Sequence, residues 1–296
     1  MSRIDSDKSA PRVALIGFGE AGETFARAAG WSGHALGWDV LPARCAAMAD
    51  CGVVAGSDAA EALADADCVL SLVTADAALG AARDYAAMLR PGALWLDMNS
   101  VSPGTKRWAA EAVEAVGAHY LDVAVMAPVD KKLAVPLLVA GPKADAARAA
   151  LLSLGFTNIR VVGAEIGRAS AIKMCRSVMV KGVEALTAEM ALAANAAGVL
   201  DEVLASLDAS EKAQSWGERA DYNIDRMLIH GQRRAAEMNE VCHWLSSLGL
   251  IPMMSGVTAY RQEKLGELRL TPTPTTLSAK LDAIRANPDF KERPDR

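Results

Sequence analysis

Paired metal-binding and disulfide motifs are missing from this chain. Its five cysteines (Cys45, Cys51, Cys68, Cys175, Cys242) are scattered and odd in number, and no Cys-x-x-Cys pair occurs. That pattern excludes a zinc ribbon and a disulfide framework and points to a reducing, cytoplasmic setting. The four histidines (His34, His119, His230, His243) lack metal-ligand spacing, so no metal is expected. The start is polar, without the apolar core of a signal peptide. No apolar run reaches the length of a membrane span. Net charge is −5, so a broad basic surface for nucleic acid or anionic membrane is excluded. Any anionic ligand must be held by local positive charge.

What remains is a chain of 296 residues, 52% hydrophobic and 23% charged, enough for one large or two ordinary domains. Residues 1–11 read as a disordered tail. From 12 to 164, short apolar runs (Val13–Ile16, Ala35–Trp38, Val53–Ala55, Cys68–Val73, Ala93–Leu96, His119–Val123, Leu137–Ala140) alternate with alanine-rich helical stretches. This β-α alternation predicts a doubly wound, mostly parallel α/β sheet with helices on both faces, a Rossmann domain. Residues 165–197 hold no proline and only Gly167 and Gly182 as interior glycines, which predicts one long helix. Further helices are expected near 200–213, 215–229, 232–248 and 256–268. Residues 165–270 thus read as an all-α domain for substrate binding and dimerisation. The stretch 271–296, rich in Pro, Thr and charge, reads as an arm or disordered tail.

The strand Val13–Ile16 runs into Gly17-Phe18-Gly19-Glu20-Ala21-Gly22, and a helical stretch follows. In such a loop the first glycine makes the tight turn and the second lets a pyrophosphate reach the backbone. The third lets the helix pack on the strand. The helix start then offers free N–H groups and its positive dipole end to phosphate. The next strand ends at Trp38-Asp39, 17 residues beyond Gly22, near the place of an acid that holds ribose hydroxyls. A carboxylate there repels a 2′-phosphate, which favours NAD; Arg44, one helical turn on, keeps NADP as the alternative.

This order of features resembles the β-hydroxyacid dehydrogenase family, which includes 3-hydroxyisobutyrate and 6-phosphogluconate dehydrogenases. The resemblance spans roughly residues 12–265. Ser71-Leu-Val-Thr74 is similar to the family's loop beside the nicotinamide ribose, which implies cofactor contacts at Val73 and Thr74. Leu96-Asp-Met-Asn-Ser-Val-Ser-Pro103 is similar to the segment near the nicotinamide, which implies Asn99 there. Ile166-Gly-Arg-Ala-Ser-Ala-Ile-Lys173 is similar to the start of the central helix, which implies Lys173 as the general acid/base. Hydride transfer to or from an alcohol carbon needs such a group at the oxygen, and a partly desolvated lysine can serve both directions. A solvated helix lysine is the plain alternative.

Two landmarks differ. The family's asparagine one turn after the lysine is Ser177 here, preceded by Arg176. The Ser-Gly-Gly turn that holds a substrate carboxylate is replaced by Met126-Ala127-Pro128, which removes an N–H and adds an apolar side chain. Asp130, Lys131 and Lys132 follow in a charged turn, otherwise simply solvated. Arg233 or Arg234 is expected to reach an anionic group, or to pair with Glu237 at ordinary helix spacing. Lys173-Met-Cys-Arg-Ser-Val and Lys181-Gly-Val-Glu-Ala-Leu186 resemble a little-characterised bacterial branch of 6-phosphogluconate-dehydrogenase-like oxidoreductases.

The expectation is therefore an NAD(P)-dependent oxidoreductase. It would act on a β-hydroxyacid-like alcohol or its carbonyl partner, with an anionic small-molecule substrate near Met126, Arg176, Ser177 and Arg234. Imine reduction on the same fold and a non-catalytic dinucleotide sensor are the alternatives. Family members dimerise through the helical domain, so the resemblance implies a homodimer. Methionines and tryptophans of that domain read mainly as core.

Overall fold

The computed structural model describes residues 11–31, 33–211 and 213–290; the side chains of Glu184, Glu237 and Glu240 are outside this set. The expected tail at 1–11, Pro11 apart, and the expected pairs of Glu237 with Arg233 or Arg234 therefore lie outside the described residues. Contacts divide the chain into two compact units, one ending at Val178 and one beginning at Met179.

Among its described residues the first unit holds eight strands: β1 (Val13–Ile16), β2 (Ala35–Trp38), β3 (Val54–Ala55), β4 (Cys68–Ser71), β5 (Leu94–Asp97), β6 (His119–Val125), β7 (Leu137–Ala140) and β8 (Ile159–Gly163). Helices α1 (Glu20–Ala29), α2 (Pro42–Met48), α3 (Ala59–Leu63), α4 (Ala78–Tyr85), α5 (Pro103–Glu114), α6 (Ala144–Ser153) and the start of α7 (Arg168–Ala196) accompany them. The sheet order is β3-β2-β1-β4-β5-β6-β7-β8. All pairings are parallel except β6 with β7. Only 11 residues join Val125 to Leu137, too few for a parallel crossover, so that pair runs antiparallel.

Both faces of the sheet are covered, so β1 is apolar throughout and β4 and β5 are apolar up to their last residue. The period of two is visible in β1. Val13 and Leu15 join Phe25, Leu121 and Phe156 on one face, while Ala14 and Ile16 join Trp95, Val113 and Tyr120 on the other. Phe25 and Phe156 meet edge-to-face at 5.1 Å. Full burial of each such side chain contributes about 1.5–3 kcal/mol, so the sheet core dominates the unit's stability. β8 and α6 escape the apolar-run reading. β8 is an edge strand whose second residue is the exposed Arg160, which leaves only Val161 and Val162 as an apolar run.

The sequence placed the domain boundary at 164/165, whereas the units separate inside α7. Its first residues belong with the sheet because Ala169 and Ile172 pack on Ala124, Leu138 and Ala140. Ser170 is also tied to Asp122 of β6.

The regular elements among the second unit's described residues are all helices: the rest of α7, then α8 (Leu200–Ser210), α9 (Trp216–Ser247), α10 (Met253–Glu267) and α11 (Leu277–Ala286). Two expectations change here. The helices anticipated at 215–229 and 232–248 are one, α9, opened by a capping box between Ser215 and Glu218. Gly231 does not break it, because the residue packs against α10. A Cβ there would lie 2.2 Å from the Gln262 carbonyl oxygen. The stretch from Thr271, expected as an arm or disordered, contains α11, N-capped by Thr276. Ile284 joins Leu228, Leu265 and Leu268 in a small core. Lys280, almost fully buried, sits 3.0 Å from both Asp221 and Asp225 of α9. Burial pulls this ammonium's pKa down, but the two carboxylates outweigh it and hold it above the usual lysine value.

Candidate active site

A cleft of about 680 Å³ lies where β1, β2 and β4 end. The strand order reverses there: β2 and β3 lie to one side of β1 and β4 to β8 to the other, the switch point at which open α/β sheets bind ligands. Its walls include Gly17, Gly19, Asp39, Arg44, Val73 and Thr74.

The three loop glycines differ in what surrounds them. Gly17 has φ +88°, and a Cβ there would lie 2.7 Å from the Leu72 carbonyl oxygen. This position needs glycine for both backbone conformation and space. A Cβ on Gly22 would lie 3.0 Å from the Gly17 oxygen and 3.3 Å from the Phe18 ring, which lets α1 start hard against the loop. A Cβ on Gly19 would meet nothing within 4 Å. Gly19 caps α1 without a side-chain acceptor, so the first-turn N–H groups of Glu20 and Ala21, both at the cleft, have no side-chain cap. That is an anion cradle at a helix start. The residues present fit a dinucleotide pyrophosphate.

Asp39 does more than face the cleft. Its Oδ2 accepts from the Phe18 N–H at 2.7 Å and its Oδ1 from the Leu41 N–H at 2.9 Å. The carboxylate thus ties the glycine loop to the end of β2, and each oxygen keeps a second lone pair for a ligand hydroxyl. Phe18 itself is a core residue: its ring is fully buried and its N–H is spent on Asp39. Arg44 Nη1 stands 3.8 Å from Glu23 Oε2 on the same wall. Thr74 donates to Asp76, which holds that carboxyl's pKa below its ordinary value.

Asn99 is buried rather than in the wall of this cleft. Its Nδ2 donates to Asp97 Oδ1 at 2.7 Å and to Ser71 Oγ at 3.0 Å, while its Oδ1 is buried without a hydrogen-bond partner. The next residue, exposed Ser100, accepts from Lys173 Nζ at 2.6 Å. The fold therefore brings half-buried Lys173, on the first turns of α7, to the C-terminal end of β5. Met126 is near the same helix start, packed with Ala169 and Ile172. Ser177 is half-buried and Arg176 exposed on α7. Arg234 is half-buried on α9, in the second unit.

Sequence reasoning missed one cluster beneath these residues. Lys106 Nζ lies 2.7 Å from the Asp97 carbonyl oxygen, 3.0 Å from Asp97 Oδ1 and 3.7 Å from Asp122 Oδ1. Tyr120 donates its hydroxyl to Asp97 Oδ2. Burial, and then the charge of Asp97, push the Tyr120 phenol's pKa well up. The available signal was a carboxylate within each of two apolar strands, Asp97 closing β5 and Asp122 in the middle of β6, since a buried charge requires a partner.

Residues 12–163 match the family of the NAD binding domain of 6-phosphogluconate dehydrogenase. The chain belongs to this family. Residues 194–265 match a domain family of unknown function. A conserved hypothetical protein from Sinorhizobium meliloti is 33% identical, with 93% of this chain and 97% of that one covered and a TM-score of 0.60. A conserved protein of unknown function, described as structurally similar to 3-hydroxyacid dehydrogenases, is 31% identical, with 92% and 99% covered and a TM-score of 0.58. An imine reductase from Myxococcus stipitatus in complex with NADP+ shares the fold at 21% identity, with 92% and 99% covered and a TM-score of 0.71. As a member of the 6-phosphogluconate dehydrogenase NAD-binding family, the chain carries an NAD(P)-binding, dehydrogenase-like domain, and its fold matches that of 3-hydroxyacid dehydrogenase-like proteins. Among the described residues no helix is long and apolar enough to cross a membrane.

Proposed function

We propose that this protein is an NAD(P)-dependent oxidoreductase acting on a β-hydroxyacid-like alcohol or its carbonyl partner, with Lys173 as general acid/base. The observation that carries this reading is the 2.6 Å contact of Lys173 Nζ with Ser100, one residue beyond Asn99 at the end of β5. A bound nicotinamide dinucleotide supplies the hydride donor or acceptor. Gly17, Gly19, Glu20, Ala21 and Gly22 hold its pyrophosphate, with Phe18 keeping the loop in shape. Asp39 takes the ribose hydroxyls, and Val73, Thr74 and Asn99 serve the nicotinamide side. Lys173 Nζ holds the proton for the substrate oxygen, or removes it in the opposite direction. Met126, Arg176 and Ser177 orient a small anionic substrate, and the enzyme works as a cytoplasmic homodimer.

The test is Lys173→Ala. Turnover should fall by about a hundred- to ten-thousand-fold while NADH affinity stays within about twofold, because only the proton-transfer group is lost. Wild-type turnover in this variant rejects the role. For the cofactor, the carboxylate of Asp39 predicts a higher kcat/KM with NADH than with NADPH. Arg44 on the same wall supports the opposite order, so comparing the two cofactors decides between these residues.

Imine reduction is the second reading. It is favoured by Met126 and Pro128 where the hydroxyacid enzymes carry a carboxylate-binding turn, and by the shared fold with an imine reductase. Assays of ketones against cyclic imines separate the two: reduction confined to imines would replace the first reading.

A further inference from the structure

Lys106 and Asp122 are fully buried and Asp97 is nearly so, yet the proposed chemistry uses none of them. A buried ion cluster is seldom worth more to stability than well-packed apolar residues of the same volume. Its place in the fold suggests a different use. Asp97 receives the backbone N–H and the side-chain amide of Asn99, and so holds the backbone just before Ser100. Asp122 receives the backbone N–H and the hydroxyl of Ser170, one helical turn before Lys173. Lys106, from α5, bridges the two carboxylates. Both halves of the Lys173–Ser100 contact are thus anchored to one buried ammonium.

We propose that Lys106, with Asp97 and Asp122, is a positioning residue that sets Lys173 against Ser100. This deepens the catalytic reading of Lys173 and rests on it. The end of β5, the middle of β6 and the α7 start come from separate segments of the chain. A shared cation constrains their relative placement more tightly than two separate hydrogen-bonded pairs would. The arrangement acts through Lys173 and touches no reacting atom itself.

The experiment follows the Lys173 side chain by NMR in protein carrying isotope-labelled lysine, with its signal assigned by its loss in Lys173→Ala. Ser100→Ala marks the shift of this lysine without its Ser100 contact. In Ser170→Ala and in Lys106→Met, the Lys173 signal is expected to move from the wild-type position toward that reference. Ser170→Ala leaves Lys106 and both carboxylates in place, so it carries the test if Lys106→Met does not fold. An unmoved Lys173 signal in the folded variants overturns the proposal and leaves the cluster as a tie between α5 and the sheet. The two readings fail separately. Wild-type turnover in Lys173→Ala removes the catalytic role, whereas an unmoved signal together with lost turnover in Lys173→Ala removes only the positioning role.

Discussion

Two glycines of one loop show how differently a single residue type can act. Gly17 combines a positive φ with a neighbouring carbonyl oxygen that leaves no room for a methyl group. Gly17→Ala should therefore destabilise the first unit by about 1–3 kcal/mol, read by urea denaturation. Gly19 is extended, with φ −80° and ψ −157°, a conformation open to alanine, and its missing Cβ faces open space. Gly19→Ala should leave stability within about 0.5 kcal/mol of wild type. It should nevertheless raise the Kd for NADH at least about tenfold, about 1.4 kcal/mol, because the methyl group would stand at the proposed pyrophosphate site. Fluorescence titration reads the second effect. A Gly19→Ala protein that binds NADH normally would contradict the assigned pyrophosphate site. Asp39 belongs to the same scale. Its place after β2 was legible from spacing, but its bonds to Phe18 and Leu41 were not, because they depend on how the loop closes in space.

At the scale of elements, helix propensity and packing oppose each other in α9. Gly231 is a poor helix former, and alanine would gain about 1 kcal/mol from propensity alone. Packing against α10 outweighs that gain. The new Cβ would meet the Gln262 carbonyl oxygen and, at 2.8 Å, the Gly266 nitrogen, both on backbone that cannot yield without moving the helix. Gly231→Ala should thus be net destabilising by about 2 kcal/mol, measured as a lower urea midpoint. The gap that the sequence reading left between 229 and 232 falls on His230-Gly231, and it is the packing against α10 that carries the helix through it. Elements with strong local signals were readable. β1, β2 and β7 have the bounds their apolar runs indicated, and α5 begins at Pro103 behind the Ser102 cap. Weak local signals hid β8, α6 and α11, whose formation depends on an edge to pair with or a surface to cover.

At the scale of the whole molecule, Leu186, Leu192, Leu204, Leu207 and Trp244 of the second unit are exposed in the single chain. Scattered apolar residues are common on surfaces, but this many on two helices and part of a third suit a subunit contact. Analytical ultracentrifugation should give twice the mass of the chain, and Leu192→Lys with Leu207→Lys should return it to the monomer mass. A monomeric wild-type protein would reject the proposed homodimer. The β-α alternation of the first half, the glycine loop, the acid after β2 and the helical second half were all determined by the sequence alone. Each is set by local periodicity or by backbone needs that a few adjacent residues satisfy. Only tertiary structure decided that Lys173 meets Ser100, that one buried lysine joins Asp97 to Asp122, and that Gly231 is a contact rather than a break. Those facts pair residues tens of positions apart, and close approach in space leaves no periodic mark along a single chain.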